Sequence, residues 1–393
     1  MSPKQDARQQ LEEVILPYWL RKGIDTTRGG FYTCFDNRGE SLLSTDKFTW
    51  SQGRFVWMLA RAARLAGRGL LDLDPGELIH HANRGARFLV EHAVRPDGTC
   101  AYLLDERGGT LPGERSIYAD CFVAMGLSEL SRYTGSAEFL PTVDAIVGRV
   151  ADDIARGDPP TPPYPLPRGA EGFGARMILA NARLDQVRAH ISAYGRAADA
   201  LLDALREAKR AMLAHREPDG LFTETRISDP ALAGTLLAGH RNPGHALEGI
   251  WVALEAGELL GEHDDDAALI DSVPKLCELG WDPEHGGIFR YVGLDGRPGG
   301  TPYEELISRT WSTKLWWVHS EAAYTTWLAG RVDQASAGWF ERVWHYTLST
   351  FPGDEEWIQI RDRAGRPLDE VVALPVKDPY HVARNLMQIL EAA

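Results

Sequence analysis

Two histidines in this chain each have a charged residue three positions further on. His245 follows an Asn-Pro-Gly segment and precedes Glu248, and His381 precedes Arg384 near the carboxyl end of the sequence. Residues three apart lie on one face of a helix, so each pair places an imidazole beside a charge. A charged neighbour tunes the pKa of a histidine near neutrality, which general acid–base catalysis requires. His245 and His381 are therefore the candidate proton-transfer residues.

Other polar and aromatic side chains are candidate binding residues. Arg54 ends a Trp-Ser-Gln-Gly-Arg segment, whereas Lys314, Trp316 and Glu321 share one later segment. Tryptophan rings pack against the apolar faces of sugars, so a sugar pocket could be lined by Trp50, Trp57, Trp251, Trp316 and Trp317. The two candidate histidines come from separate segments and the chain has no HExxH motif, so no metal site is predicted.

Helices must position these residues. Apolar residues at helical spacing predict twelve of them. The predicted segments are 4–22, 48–66, 76–93, 117–134, 138–156, 172–189, 193–215, 243–261, 265–280, 312–330, 333–350 and 378–392. Every candidate residue falls in an even-numbered segment, which is expected if the even helices form an inner ring around one pocket.

A turn-rich stretch recurs between the predicted helices. Its five copies lie near Gly29, Asp97, Asp219, Gly286 and Glu356, and a proline-rich segment at 159–165, which cannot be helix interior, fits as a degenerate sixth. All six lie between an odd helix and the following even one, so we expect them at one end of the molecule. Recurring units of this length are typical of repeat architectures. Six helix pairs closed on themselves predict an all-α (α/α)6 barrel with short hairpin-like loops at one end, as a single domain over residues 1–393.

Composition excludes several classes of protein. The net charge of −14 and the lack of a basic run disfavour nucleic-acid binding. No apolar run approaches the roughly 20 residues that cross a bilayer, and the first residues have no apolar signal segment. Four scattered cysteines without CxxC spacing favour reduced thiols. We therefore expect a cytoplasmic protein with no membrane partner.

Six segments together resemble the N-acylglucosamine 2-epimerase family, whose members are (α/α)6 barrels. The resemblance runs over nearly the whole chain and rests on residues 29–34, 50–54, 242–248, 280–287, 314–321 and 380–384. It implies that His245 and His381 are the acid–base pair. It also implies that Arg54, Glu248, Glu321 and Arg384 hold the substrate or tune those histidines.

The chain departs from the family pattern in two places. Residues 377–384 read KDPYHVAR, where the family usually has a segment closer to KGCFHVPR, and this departure bears on the substrate. Residues 176–181 lack the histidine that the family's cellobiose epimerases and mannose isomerases carry early in the sixth helix. The second departure favours the acylglucosamine branch.

The resemblance implies an isomerase that inverts C2 of an open-chain N-acylglucosamine or N-acylmannosamine through an enediolate. One histidine removes the C2 proton and the other returns a proton to the opposite face, while Arg54 stabilises the developing oxyanion. An aldose–ketose isomerase acting on mannose or a related sugar is the nearest alternative. A glycoside hydrolase using two carboxylates, such as Glu248 and Glu321, or a non-catalytic sugar-binding protein, are more distant ones.

A small sugar is the expected partner, and no cofactor is predicted. Some members of the family are stimulated by ATP and form dimers. This chain has no GxxxxGKS/T loop. The resemblance alone establishes neither allosteric activation by ATP nor a homodimer, and both stay open.

Overall fold

The structure is a computed structural model that describes residues 2–301, 303, 305–371 and 374–392. Most of this part of the chain is helical. The helices are α1 (Pro3–Gln9), α2 (Leu16–Lys22), α3 (Thr49–Gly67), α4 (Pro75–His92), α5 (Ile117–Thr134), α6 (Leu140–Ala155), α7 (Phe173–Tyr194), α8 (Asp199–Leu213), α9 (Leu236–Gly239), α10 (Pro243–Leu260), α11 (Asp266–Gly280), α12 (Glu305–Thr310), α13 (Trp316–Ala329), α14 (Gln334–Thr350) and α15 (Tyr380–Glu391). A π-helical segment, Gln10–Ile15, joins α1 to α2, and a 3₁₀ turn spans Pro230–Leu232.

All twelve predicted helices are confirmed. The segment predicted at 4–22 comprises α1, the π-helical segment and α2, and the other eleven predictions correspond to α3 to α8, α10, α11 and α13 to α15. Sequence periodicity did not predict α9 and α12, which have four and six residues and are too short to show it. The segment predicted from residue 378 begins at Tyr380, after Pro379.

Burial divides the predicted helices into two kinds. The even-numbered ones, α3, α5, α7, α10, α13 and α15, are buried on most of their faces. The odd-numbered ones bury one stripe; in α4 the stripe includes Leu78, Ala82, Ala86 and Leu89. Spacings of three and four residues place such a stripe on one side of a helix. The sequence expectation of inner even helices agrees with this burial.

Short antiparallel strand pairs occur in the connections between odd and even helices. The strands are β1 (Cys34–Phe35), β2 (Leu42–Ser44), β3 (Lys47–Phe48), β4 (Leu103–Leu104), β5 (Ala170–Gly172), β6 (Thr225–Ile227), β7 (Lys314–Leu315) and β8 (Ile360–Arg361). β1 pairs with β2, β3 with β4, β5 with β6 and β7 with β8. The last three pairs each join two successive connections, so the recurring turn stretches are bonded to one another in twos.

Two of these connections are closed by the same kind of buried ion pair. Lys47 Nζ lies 2.8 Å from Asp25 Oδ2 and donates to a glycine carbonyl of the same turn at 2.7 Å. Lys314 Nζ lies 3.2 Å from Asp282 Oδ2 and donates at 3.2 Å to the carbonyl of Gly287, the second glycine of its turn rather than the first. Both lysine side chains are fully buried. The internal repeat seen in the sequence therefore extends to equivalent side-chain contacts.

The residue five positions after each lysine completes the arrangement. Gln52 accepts the backbone N–H of Phe31 at 2.7 Å, and His319 accepts that of Ile288 through Nε2 at 2.9 Å. Each side chain thus fixes the start of an even helix to the turn before it.

By contacts the chain divides into two compact units. The first unit comprises the described residues of 1–165, 178–205 and 374–393, and the second those of 166–177 and 206–373. Arg54, His381 and Arg384 belong to the first unit. The other five predicted site residues, His245, Glu248, Lys314, Trp316 and Glu321, belong to the second. The single domain over 1–393 stays a prediction.

None of the described helices combines the length and the apolar character that crossing a membrane requires.

Candidate active site

In the first unit His381 lies between two arginines. Arg54 Nη2 is 2.9 Å from Nε2 of the imidazole, and Arg384 Nη2 is 3.2 Å from Nδ1. Arg384 also donates to the Tyr380 hydroxyl at 3.0 Å. The spacing of three residues between His381 and Arg384 in α15 therefore produces the contact that the sequence predicted.

The hydrogen bonds of His381 constrain its protonation. A guanidinium group has only donors, and a neutral imidazole offers one N–H and one lone pair. The shorter contact assigns the lone pair to Nε2, where Arg54 donates. Nε2, whose lone pair faces Arg54, is therefore the basic atom of the neutral ring.

Arg54 itself is held on several sides. Its Nη1 lies 3.3 Å from both carboxylate oxygens of Asp378. The guanidinium carbon is 4.0 Å from the centre of the Phe122 ring and 5.1 Å from those of Trp50 and Tyr380. Aromatic faces attract a cation at such distances. The guanidinium is thus fixed beside His381 within the first unit.

In the second unit His245 is positioned at the start of α10. Asn242 caps this helix, its side chain accepting the backbone N–H of His245 at 3.2 Å, and Pro243 occupies the first turn, where its lack of an N–H has no cost. The ring centre of Trp317 lies 5.3 Å from that of the imidazole.

A carboxylate that the sequence analysis did not identify faces His245. Glu224 Oε1 is 2.8 Å from Nδ1 of the ring, and the glutamate side chain is 13% exposed. Nδ1 therefore donates to Glu224 and Nε2 is the nitrogen that remains for proton transfer. Glu224 directly precedes β6, which fixes its distance from the start of α10.

The charges around His245 favour its protonated form. Burial lowers the pKa of this imidazole, but the charge and hydrogen bond of Glu224 and the charge of Glu248 outweigh burial and a smaller opposing effect of Arg290, so the pKa of His245 is raised above its ordinary value. The carboxylate of Glu224 thus faces His245, whereas the guanidinium groups of Arg54 and Arg384 contact His381.

The two predicted carboxylates, Glu248 and Glu321, are both buried. Glu248 lies three residues after His245 on α10. Glu321, on α13, accepts the indole N–H of Trp251 at 2.8 Å. Each is therefore fixed on an even helix of the second unit.

Lys314 and Trp316 differ from the expectation of substrate binding. The ammonium of Lys314 is fully buried against Asp282, and burial, only partly opposed by that carboxylate, lowers the pKa of Lys314 to about 8. Trp316 is 2% exposed, so neither ring face is open. Both residues fix the start of α13 instead, and we leave them out of the proposed site. The half-buried Trp317 beside His245 is the better candidate for an aromatic binding surface.

His319 is also excluded as a proton-transfer residue. Its Nδ1 donates to the carbonyl of Leu315 at 2.8 Å, and its Nε2 accepts from Ile288. Burial lowers the pKa of His319 to about 3. It is therefore a neutral structural residue.

Comparisons with known proteins agree with the family resemblance of the sequence. A family model described as N-acylglucosamine 2-epimerase (GlcNAc 2-epimerase) matches residues 30–384. A Bos taurus protein named N-acylglucosamine 2-epimerase is 32% identical over 402 residues, which cover 98% of this chain and 89% of that protein.

Two solved structures are similar in fold. The cellobiose 2-epimerase of Bacillus thermoamylovorans superposes with a TM-score of 0.79 at 17% identity, covering 99% of this chain and 98% of that one. A D-mannose isomerase superposes with a TM-score of 0.76 at 17% identity, covering 99% and 97%. The predicted all-α (α/α)6 barrel is confirmed. The chain belongs to the N-acylglucosamine 2-epimerase family, and it is an isomerase of the carbohydrate 2-epimerase type.

Proposed function

We propose that the protein interconverts an N-acylglucosamine and the corresponding N-acylmannosamine. Similarity over 98% of the chain to a protein named N-acylglucosamine 2-epimerase supports this class of substrate. Residues 176–181, which lack the additional histidine expected of the cellobiose and mannose branches, support it as well.

The observation that carries the mechanism is that charged side chains hold both histidines, Glu224 for His245 and Arg54 with Arg384 for His381. In the open-chain sugar the aldehyde at C1 makes the C2 proton acidic. His381, whose ring nitrogens contact Arg54 and Arg384, accepts that proton. His245, favoured as imidazolium by Glu224, donates a proton to the other face of C2. In the reverse reaction the two residues exchange roles.

Arg54 stabilises the intermediate in this proposal. Removal of the C2 proton gives an enediolate whose charge lies on O1, and a fixed cation beside it lowers the barrier more than it stabilises the substrate. Arg384, Glu248, Glu321 and Trp317 complete the proposed substrate site. The mechanism uses no cofactor, and we further propose a homodimer in the cytoplasm.

Proton exchange tests the function directly. The protein is incubated in D₂O with N-acetylmannosamine, N-acetylglucosamine or mannose, with and without ATP, and the C2 and anomeric protons are followed by NMR. We expect deuterium at C2 together with the epimer for the two N-acetyl sugars. A ketose from mannose would instead establish an aldose–ketose isomerase, and no exchange with any sugar would contradict both.

The same assay tests the two histidines. General acid–base groups contribute roughly 10²–10⁴-fold each, so His245→Asn and His381→Asn should each lose nearly all turnover. Near-normal rates in both variants would refute the assignment. His345→Asn, a change at an exposed histidine on α14, is the matched control and should leave turnover unchanged.

A further inference from the structure

The segment KDPYHVAR, where the sequence departs from the family pattern, supplies contacts to both arginines beside His381. Asp378 stands at the position of the usual glycine, and Tyr380 at that of the usual phenylalanine. Asp378 contacts Arg54, and the Tyr380 hydroxyl accepts from Arg384. A glycine and a phenylalanine could make neither hydrogen bond. The departure therefore alters how the arginines are held.

Asp378 is itself fixed in place. Its Oδ2 accepts from the Ser51 hydroxyl at 3.0 Å, and its Oδ1 lies 3.4 Å from the backbone N of Tyr380. Its side chain is 5% exposed, and that of Arg54 is 11% exposed. A carboxylate held on two sides and largely removed from water is a rigid partner for a cation.

An arginine side chain needs such a partner to hold one position. Its long stem is free to adopt many rotamers, and aromatic faces attract the guanidinium without fixing its rotation. The two terminal nitrogens of the Arg54 guanidinium contact different residues. Nη1 is directed to Asp378, and this leaves Nη2 directed to His381.

We propose that Asp378 is a positioning residue, which holds Arg54 in the orientation that reaches both His381 and the enediolate oxygen. The inference rests on the proposed epimerase function. Asp378 acts through Arg54 alone and touches no reacting atom. Ser51 and the backbone N–H of Tyr380 hold Asp378 in turn.

A double-mutant cycle tests this dependence. Asp378→Asn keeps the shape of the side chain and removes its charge, so we expect kcat to fall at least about tenfold while KM changes less than about twofold, because an interaction made in the transition state is weakened. In an Arg54→Met background the same change should alter kcat less than about twofold, because residues that act through one another are not additive. Equal effects in both backgrounds would overturn the proposal.

Asp153→Asn is the matched control. The side chain of Asp153 is 6% exposed, against 5% for that of Asp378, and its carboxylate contacts Arg115, Arg149 and Arg156 near the end of α6. It tests whether loss of a buried carboxylate from an arginine pair lowers kcat through stability alone. We expect a lowered melting temperature with normal kcat.

Failure of the inference can be told apart from failure of the proposed function. Turnover by the unaltered protein depends only on the function. If no sugar is turned over, crystal structures of the unaltered protein and of Asp378→Asn still decide the inference. Arg54 Nη2 should leave Nε2 of His381 in the variant, and an unchanged contact of about 2.9 Å would overturn the proposal.

Discussion

Charged side chains hold the rings of both candidate histidines. Glu224 accepts from Nδ1 of His245, and a carboxylate beside an imidazole favours the protonated ring. Arg54 and Arg384 contact the two ring nitrogens of His381. The proposed epimerisation needs one histidine that donates a proton and one that accepts a proton, and Glu224 favours His245 as the donor.

The pH dependence of catalysis should therefore change when Glu224 loses its charge. The pKa of His245 is raised, so its proton is present below that pKa and is lost as pH rises through it, and kcat should fall on the alkaline side. In Glu224→Gln only Glu248 still favours the imidazolium, while burial and Arg290 oppose it. The alkaline fall in kcat should move to lower pH, which a profile of kcat against pH measures.

Glu217→Gln is the control for this profile. Glu217 belongs to the same connection between helices, but its carboxylate pairs with Arg241 at 3.1 Å rather than with a histidine. Its loss should leave the alkaline limb unchanged. If the alkaline fall in kcat stays at the same pH in Glu224→Gln, a group other than Glu224 keeps His245 protonated.

Sequence reasoning found the histidines but not all of their partners. Arg384 was visible because a contact three residues away follows from helix geometry. Glu224 was not, because it is 21 positions from His245 and only the fold brings β6 to the start of α10. The sequence showed that Asp378 departs from the family pattern, but not that its carboxylate contacts Arg54. The sequence could not show that Lys314 is buried against Asp282, because that contact depends on a turn 32 positions away.

At the scale of elements, the same joint between turn and helix is built with two chemistries. In the first connection an amide, Gln52, accepts the turn N–H, and in the fifth an imidazole, His319, does so. Only the imidazole titrates. The hydrogen bond of His319 before α13 is therefore sensitive to acid, and the equivalent hydrogen bond of Gln52 before α3 is not.

His319→Gln should reduce the loss of stability in acid. The pKa of His319 is about 3 in the folded protein and about 6.5 when exposed, so below pH 6.5 the unfolded chain takes up a proton that the folded chain refuses. Between neutrality and about pH 5 this costs about 2 kcal/mol of unfolding free energy. Urea denaturation at both pH values should show a smaller decrease in the variant by about that amount.

His319→Gln is a conservative change, because Gln52 makes the equivalent hydrogen bond in the first connection. His345→Gln, at an exposed position of α14, is the control and should reproduce the pH dependence of the unaltered protein. An acid-induced loss of the same size in His319→Gln would mean that other buried groups produce it.

Elements were predictable where a pattern is long enough to repeat. The twelve helices show several turns of apolar spacing, whereas α9 and α12 do not. The strands have two or three residues each and pair across separate connections, so their register depends on the helices around them. The sequence predicted the recurring turns, but not the strand pairs that join successive connections.

At the scale of the whole molecule, the chain passes between its two compact units four times. The first unit is assembled from three separate stretches and the second from two. Neither can be cut out as one continuous segment. Because the first unit contains residues from both ends and the middle of the chain, we do not expect it to fold separately from the second. This favours one cooperative domain.

Cooperative unfolding can be tested because the tryptophans are distributed unequally. Trp19, Trp50 and Trp57 lie in the first unit and the other nine of the twelve in the second, so fluorescence reports mainly on the second unit while circular dichroism reports on helices of both. We expect coincident transitions by the two probes. Asp153→Asn, a destabilising change in the first unit, should lower both midpoints equally. A fluorescence midpoint that stays fixed while the dichroism transition broadens would show two domains that unfold separately.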